Sequence, residues 1–141
     1  MFDNFVLRQR LNSILLIDDD PNCNFLHRRV IRKSDCSDGI VVQEAGEDAL
    51  RYLTEHTDDA PELILLDLNM PGMSGWEFIE EFRKLPAPVQ ERVKIMVLTS
   101  SLNPDDQERA AQTEDIDGMY DKLLTRDTLM HIFQNHFPER L

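Results

Sequence analysis

Cysteine is scarce in this chain. There are two in 141 residues, Cys23 and Cys36, and neither belongs to a Cys-x-x-Cys pair or a Cys/His cluster. That excludes a disulfide-stapled scaffold and the common zinc and dithiol motifs. Long apolar runs are missing too: none approaches the ~20 residues of a membrane-spanning helix. The patch Phe5-Val6-Leu7, set among Asp3, Arg8 and Arg10, is too short for a signal-peptide core. Positive charge is in deficit, with 15 Lys and Arg against 27 Asp and Glu and a net charge of −12. A surface of that sign repels phosphate backbones, so non-specific nucleic-acid binding is not expected. Repeats and low-complexity segments are also absent. These absences leave a cytoplasmic chain with reduced cysteines, no membrane and no nucleic-acid partner as the expectation.

What remains is globular. Hydrophobic residues make up 41% of the chain, enough to offset chain entropy, and 141 residues suffice for one domain with one core. Short apolar runs alternate with amphipathic stretches. Ile14–Ile17, Ile40–Val42, Leu63–Leu66, Val93–Leu98 and, more weakly, Ile116–Lys122 suit strands of a parallel sheet covered on both faces. Between them, Asp20-Pro21, Ser74-x-x-Glu77, Asn103-Pro104 and Thr125 read as helix starts. Leu26 and Val30 are expected to face inward from the first helix, Ala49, Leu50 and Leu53 from the second, Phe78, Ile79 and Phe82 from the third. Leu129, Ile132, Phe133 and Phe137 do so from the last. Pro86-Ala87-Pro88 reads as a connector. Strand–helix units repeated about five times predict a doubly wound α/β domain, whose function sits beyond the carboxyl ends of the strands.

Those ends carry the chemistry. Strand one ends in Asp18, Asp19 and Asp20, strand three in Asp67, strand four in Thr99, and strand five near Lys122. Brought together, crowded carboxylates repel and lose hydration, and a hard divalent cation relieves both costs. Magnesium fits best, since it takes one or two carboxylates and completes its shell with water and phosphate oxygens. Carboxylate, metal, ammonium and hydroxyl together sketch a phosphoryl-transfer site. Asp20 reads as a helix cap rather than a ligand. The four histidines, His27, His56, His131 and His136, share no metal-ligand spacing and are expected to be surface or half-buried. Trp76, at a helix start near Asp67, is expected to pack or be partly exposed and could report on that loop. Phe2, Phe5, Val6 and Leu7 form an apolar arm more in keeping with a frayed or quietly packed terminus than with a binding element.

The stretches Ile17-Asp18-Asp19-Asp20-Pro21, Leu66-Asp67-Leu68-Asn69-Met70-Pro71-Gly72-Met73-Ser74-Gly75, Val97-Leu98-Thr99-Ser100 and Lys122 resemble the receiver domain of bacterial two-component response regulators, over about Ser13 to Phe137. The resemblance implies a flavodoxin-like five-stranded parallel sheet of order 2-1-3-4-5, with a short extension over 1–12, a receiver over 13–141 and no output domain. It implies that Asp67 accepts a phosphoryl group from a histidine kinase or phosphotransfer protein. It further implies that Asp19, Asp67 and the Asn69 backbone carbonyl ligate Mg2+ while Asp18 holds metal-bound water. Lys122 and Thr99 would meet phosphoryl oxygens. The signal would leave through the helix 4–strand 5–helix 5 face, roughly Asn103 to Phe137, toward an unknown downstream protein, from a monomer or weak homodimer.

Two positions depart from the family pattern. Leu123 follows Lys122 where proline, often after a cis bond, is usual; a non-proline cis bond costs ~2.5–4 kcal/mol, so trans is expected. The switch aromatic, three residues before the lysine, is replaced by Met119. Tyr120 is adjacent but points to the opposite face unless the strand is bulged, so threonine–aromatic coupling is expected to be weak. These departures keep open an alternative, a phosphorylation-independent binding module on the same fold. Turnover chemistry is disfavoured: aspartyl phosphatases usually carry a second acid at the position of Asn69. Flavin binding is disfavoured because no Gly/Ser/Thr-rich loop follows strand one.

Overall fold

The computed structural model describes residues 6–100 and 103–141; Phe2 and Phe5 of the apolar arm lie outside the described residues. Five strands, β1 (Ile14–Ile17), β2 (Ile40–Gln43), β3 (Leu63–Asp67), β4 (Lys94–Thr99) and β5 (Ile116–Asp121), form one sheet. Every pairing is parallel and the order is β2-β1-β3-β4-β5. β1 and β3 are buried along their whole length, which is why they read as unbroken apolar runs.

Among the described residues six α-helices cover the sheet: α1 (Pro21–Ser34), α2 (Gly46–Glu55), α3 (Gly75–Phe82), α4 (Ala87–Arg92), α5 (Pro104–Ala111) and α6 (Arg126–His136). Phe78, Ile79, Phe82 and Val89 pack on the sheet face that carries Leu15, Ile17, Ile64 and Leu66. Ile31, Leu129, Ile132, Phe133 and Phe137 pack on the opposite face, with Leu16, Leu65, Met96 and Leu98. The predicted caps are present. Asp20 accepts from Asn22 and Cys23 N–H, Ser74 and Glu77 form a reciprocal capping box, and Asn103 and Thr125 accept from Asp106 and Thr128 N–H.

Four local expectations are corrected. Residues 87–92 form the short helix α4 rather than a plain connector, because Pro86 and Pro88 sit at its start, where a missing N–H costs nothing. The inward face of α1 is Asn24, His27, Ile31 and Ser34, while Leu26 is exposed and Val30 half-buried. His27, expected near the surface, is 2% exposed. The Lys122–Leu123 peptide is cis, not trans. The trans preference belongs to the isolated peptide unit. Here the fold fixes the chain on both sides of that bond: Lys122 N–H donates to the Thr99 carbonyl at 2.9 Å, and Leu124 is buried in the core.

The described part of the N-terminal segment is tied down. Leu11 is fully buried and bridges Ser37; Asn12 bonds to Glu62 and Ala60, and Arg10 pairs with Asp35 and Asp38. Leu7 packs on the core while Val6 is 83% exposed. Cys23 and Cys36 are both free thiols, and burial pushes Cys36 up to about 12. Among the described residues no helix is long and apolar enough to cross a membrane.

Candidate functional site

β1 and β3 are neighbours in register, Ile17 against Leu66, so the residues that follow them emerge side by side. Ligand oxygens of Asp18, Asp19 and Asp67 lie within 4.8 Å of one another. Asp18 and Asp67 are 4% and 6% exposed, whereas Asp19 opens to solvent. Lys122, at the end of β5, reaches across: its Nζ is 2.7 Å from Asp18 Oδ2 and 3.4 Å from Asp67 Oδ1. Thr99 ends β4, fully buried, and its carbonyl holds the backbone of Lys122. Asn69 N–H donates to Asp67 Oδ1 at 3.2 Å. The fold thus brings Asp18, Asp19, Asp67, Thr99, Lys122 and Asn69 to one end of the sheet. Met119 stands apart, half-buried on the face that carries Val97.

Electrostatics at this end are unbalanced, since three carboxylates face one ammonium. Burial and the neighbouring Asp18 charge push the Asp67 carboxyl above its ordinary value, against the pull of Lys122 and the Asn69 N–H. Burial opposes the Lys122 charge, but its hydrogen bond to Asp18 and the attraction of Asp18 and Asp67 prevail and hold its pKa above normal. A divalent cation would remove the imbalance. The donor set is all hard oxygen, and Asp19 leaves a side open for water or phosphate, so the residues present fit Mg2+.

The loop after β3 is shaped by two glycines. Gly72 has φ +77°, a left-handed backbone that few side chains tolerate. Gly75 starts α3 directly against the end of β3: a Cβ there would lie 2.7 Å from the Asp67 carbonyl oxygen and 2.7 Å from Leu68 Cα. Trp76, next along, is half-buried, and Arg109 of α5 stacks 4.2 Å from its ring centroid.

β5 carries a bulge. Ile95 pairs with Ile116 but Met96 with Gly118, leaving Asp117 extra, and its carboxylate accepts the Ile95 N–H at 2.9 Å. The bulge precedes Met119, so it does not bring Tyr120 to the Met119 side. Tyr120 lies on the opposite face, its hydroxyl 2.9 Å from His131 Nδ1. A cavity of about 410 Å³ between α5 and β5 is lined by Gln107, Ala110, Ala111, Ile116, Asp117, Gly118 and Met119.

Two residues near the acids escaped the sequence reading. Asn24 Nδ2 donates to the Asp18 carbonyl oxygen at 2.8 Å, and His27 lies one turn further along α1, where burial holds its imidazole below the ordinary range. The available signal was two polar residues spaced i, i+3 on a helix covering a sheet, but the neighbouring Leu26 and Val30 obscured which face is inward.

Comparison with known proteins identifies the fold. The family model for the response regulator receiver domain matches residues 14–134. Response regulator Rcp1 of Synechocystis is 32% identical over 97 residues, covering 66% of this chain and 65% of Rcp1. The nitrate/nitrite response regulator NarL of Escherichia coli is 46% identical over 74 residues, covering 51% of this chain and 32% of NarL. The chain thus spans less than two thirds of the length of these curated relatives. A two-component response regulator from Cytophaga hutchinsonii superposes with a TM-score of 0.86 at 32% identity, covering 92% of this chain and 99% of that one. The chain belongs to the response regulator receiver domain family of two-component systems.

Proposed function

We propose that this receiver takes a phosphoryl group on Asp67 from the phosphohistidine of a histidine kinase or phosphotransfer protein. The observation that carries the reading is the convergence of Asp18, Asp19 and Asp67 within 4.8 Å, with Lys122 bridging two of them. An Asp67 carboxylate oxygen attacks phosphorus, an O–P bond forms, the N–P bond of the donor breaks, and imidazole leaves with the electron pair. No base is required, since a carboxylate attacks through an oxygen that carries no proton to remove. Lys122 neutralises one equatorial oxygen and Thr99 donates to another. Asp18, Asp19, Asp67 and the Asn69 carbonyl are the groups that would hold Mg2+, which when bound supplies positive charge opposite the phosphoryl oxygens.

The modified state signals by population shift through the surface formed by α5, β5 and α6, toward a downstream protein. With Met119 in place of an aromatic, and Tyr120 held on the other face by His131, that shift is small at β5. The domain performs self-phosphorylation and slow self-dephosphorylation and does not turn over a substrate.

Intact mass after incubation with acetyl phosphate and Mg2+ tests the reading. One added phosphoryl group on wild type, absent from Asp67→Asn and absent without Mg2+, is expected. No adduct with either acetyl phosphate or a cognate kinase would favour the phosphorylation-independent module.

A further inference from the structure

The inner face of α1 does not fit a helix that only covers a sheet. Its buried residues are Asn24, His27, Ile31 and Ser34, three of them polar. Asn24 Oδ1, His27 Nε2 and Ser34 Oγ make no hydrogen bond. A buried amide with an unmet acceptor costs free energy that a leucine of similar volume would not. Such violations mark positions kept for another reason. For Asn24 the geometry names one: its Nδ2 donates to the Asp18 carbonyl oxygen at 2.8 Å, at a point where both residues are under 5% exposed.

Asp18 is held at each of its polar groups. Its N–H donates to the Gln43 carbonyl, Oδ1 accepts from Asp20 N–H at 3.0 Å, and Oδ2 meets Lys122. The Asn24 amide completes the set by taking the carbonyl that points into α1. The strand has ended here, and the peptide itself is planar, so the torsions on either side of it, Asp18 ψ and Asp19 φ, are the ones whose rotation would swing Asp19 away from Asp67.

We infer that Asn24 is a positioning residue for the metal-binding carboxylates. Its amide fixes the Asp18–Asp19 peptide, so that Asp19 stands opposite Asp67 before the cation arrives. This rests on the reading of the acidic cluster as a Mg2+ site. Residues that orient metal ligands are typically worth ~10–100-fold in affinity.

The test is Mg2+ titration of the purified chain by calorimetry, for wild type, Asn24→Leu, Asn24→Ala and His27→Gln, with thermal unfolding of each in EDTA. About a 10-fold or greater loss of Mg2+ affinity is expected for Asn24→Leu, which keeps the volume and removes the amide. Asn24→Ala should lose a similar factor and serves if the leucine variant does not fold. His27→Gln, at a residue that makes no hydrogen bond to Asp18, should keep wild-type affinity. Acetyl phosphate labelling of the Asn24 variants should need more Mg2+ for half-maximal rate yet reach the wild-type rate at saturation. A residue that only stabilises the fold would lower the melting temperature in EDTA without moving the Mg2+ affinity of the folded protein, and that result overturns the inference. Equal loss in His27→Gln also overturns it, since the effect would then belong to the helix face as a whole. A wild type that binds no Mg2+ removes the parent reading and this one together, whereas normal wild-type binding with unaffected Asn24 variants removes only this one.

Discussion

The two central strands and the edge strand β5 meet at the same site but are built differently. β1 and β3 are buried throughout, pair in unbroken register and end directly in Asp18 and Asp67. β5 is half-exposed, slips register at Asp117, carries Met119 where the family has an aromatic, and delivers Lys122 just before a cis peptide. The difference teaches that the carboxylates are placed by the core, while the ammonium is placed by the carboxylates. Lys122 follows the last paired residue of β5, its N–H on the Thr99 carbonyl; what aims its side chain is the pair of contacts to Asp18 and Asp67.

If that is so, the largest single effect comes from the far end of the edge strand. Lys122→Met leaves Asp18 and Asp67 facing each other uncompensated, and breaking a buried pair from one side costs about 3–5 kcal/mol. The raised Asp67 pKa sets the sign of the pH dependence. A carboxyl whose folded pKa lies above its unfolded one binds more protons when folded, so its contribution to stability falls as pH rises through that window. Without the lysine the window moves higher. The deficit should therefore be widest where Asp67 is ionised and narrow as pH falls, and added Mg2+ should recover part of it. Urea unfolding across that range measures it, and a pH-independent deficit would show that packing, not charge, is what Lys122 supplies.

The next effect separates the strands by burial alone. Leu65→Ala on β3 opens a cavity among Leu16, Met96 and Phe133 and should cost about 2–5 kcal/mol. Met119→Ala on β5 removes a half-buried side chain and should cost about 1 kcal/mol. Comparable losses would mean that the edge strand is as tightly packed as the centre.

Glycines give a third, smaller contrast. Gly75→Ala places a methyl against the Asp67 carbonyl and Leu68 Cα, backbone atoms that cannot step aside, and overpacking of that kind costs about 1–3 kcal/mol. Gly118→Ala on β5 meets Met96 Sδ and Tyr120 Cε2, each at 3.0 Å, which are ends of side chains that can shift. Its stability should stay within about 1 kcal/mol of wild type, as entropy lost from the unfolded chain offsets the contact. Denaturation midpoints settle both, and Gly75→Ala should also slow acetyl phosphate labelling while Gly118→Ala should not.

The same division governs how much could be read from residues alone. β1, β3 and β4 were legible because burial on both faces writes itself as apolar runs, and the acids at their ends stand out where such a run stops. Caps were legible because Asp20, Ser74, Asn103 and Thr125 act within three residues of themselves. The orientation of α1 was not. Asn24 and His27 are inward because Asp18 and the sheet require it, and no local propensity turns two polar side chains into a core. The cis peptide after Lys122 was misjudged for a related reason: intrinsic preference was weighed without the contacts that fix both flanks.

The smallest predicted effect concerns which face of β5 carries information. Tyr120→Phe removes a hydroxyl whose partner, His131 Nδ1, is solvent-accessible, so water replaces the bond and the cost should be about 0.5 kcal/mol. Labelling of Asp67 should be unchanged, because Tyr120 lies across the sheet from the Met119 side. Met119→Tyr should act in the opposite sense. It puts an aromatic hydroxyl beside the cavity under α5, and should enlarge the difference in hydrogen exchange over 103–121 between the free protein and the protein held with beryllium fluoride. If Tyr120→Phe instead abolished that difference, signalling would run through the Tyr120–His131 face, and β5 would be a switch read from the side of α6 rather than α5.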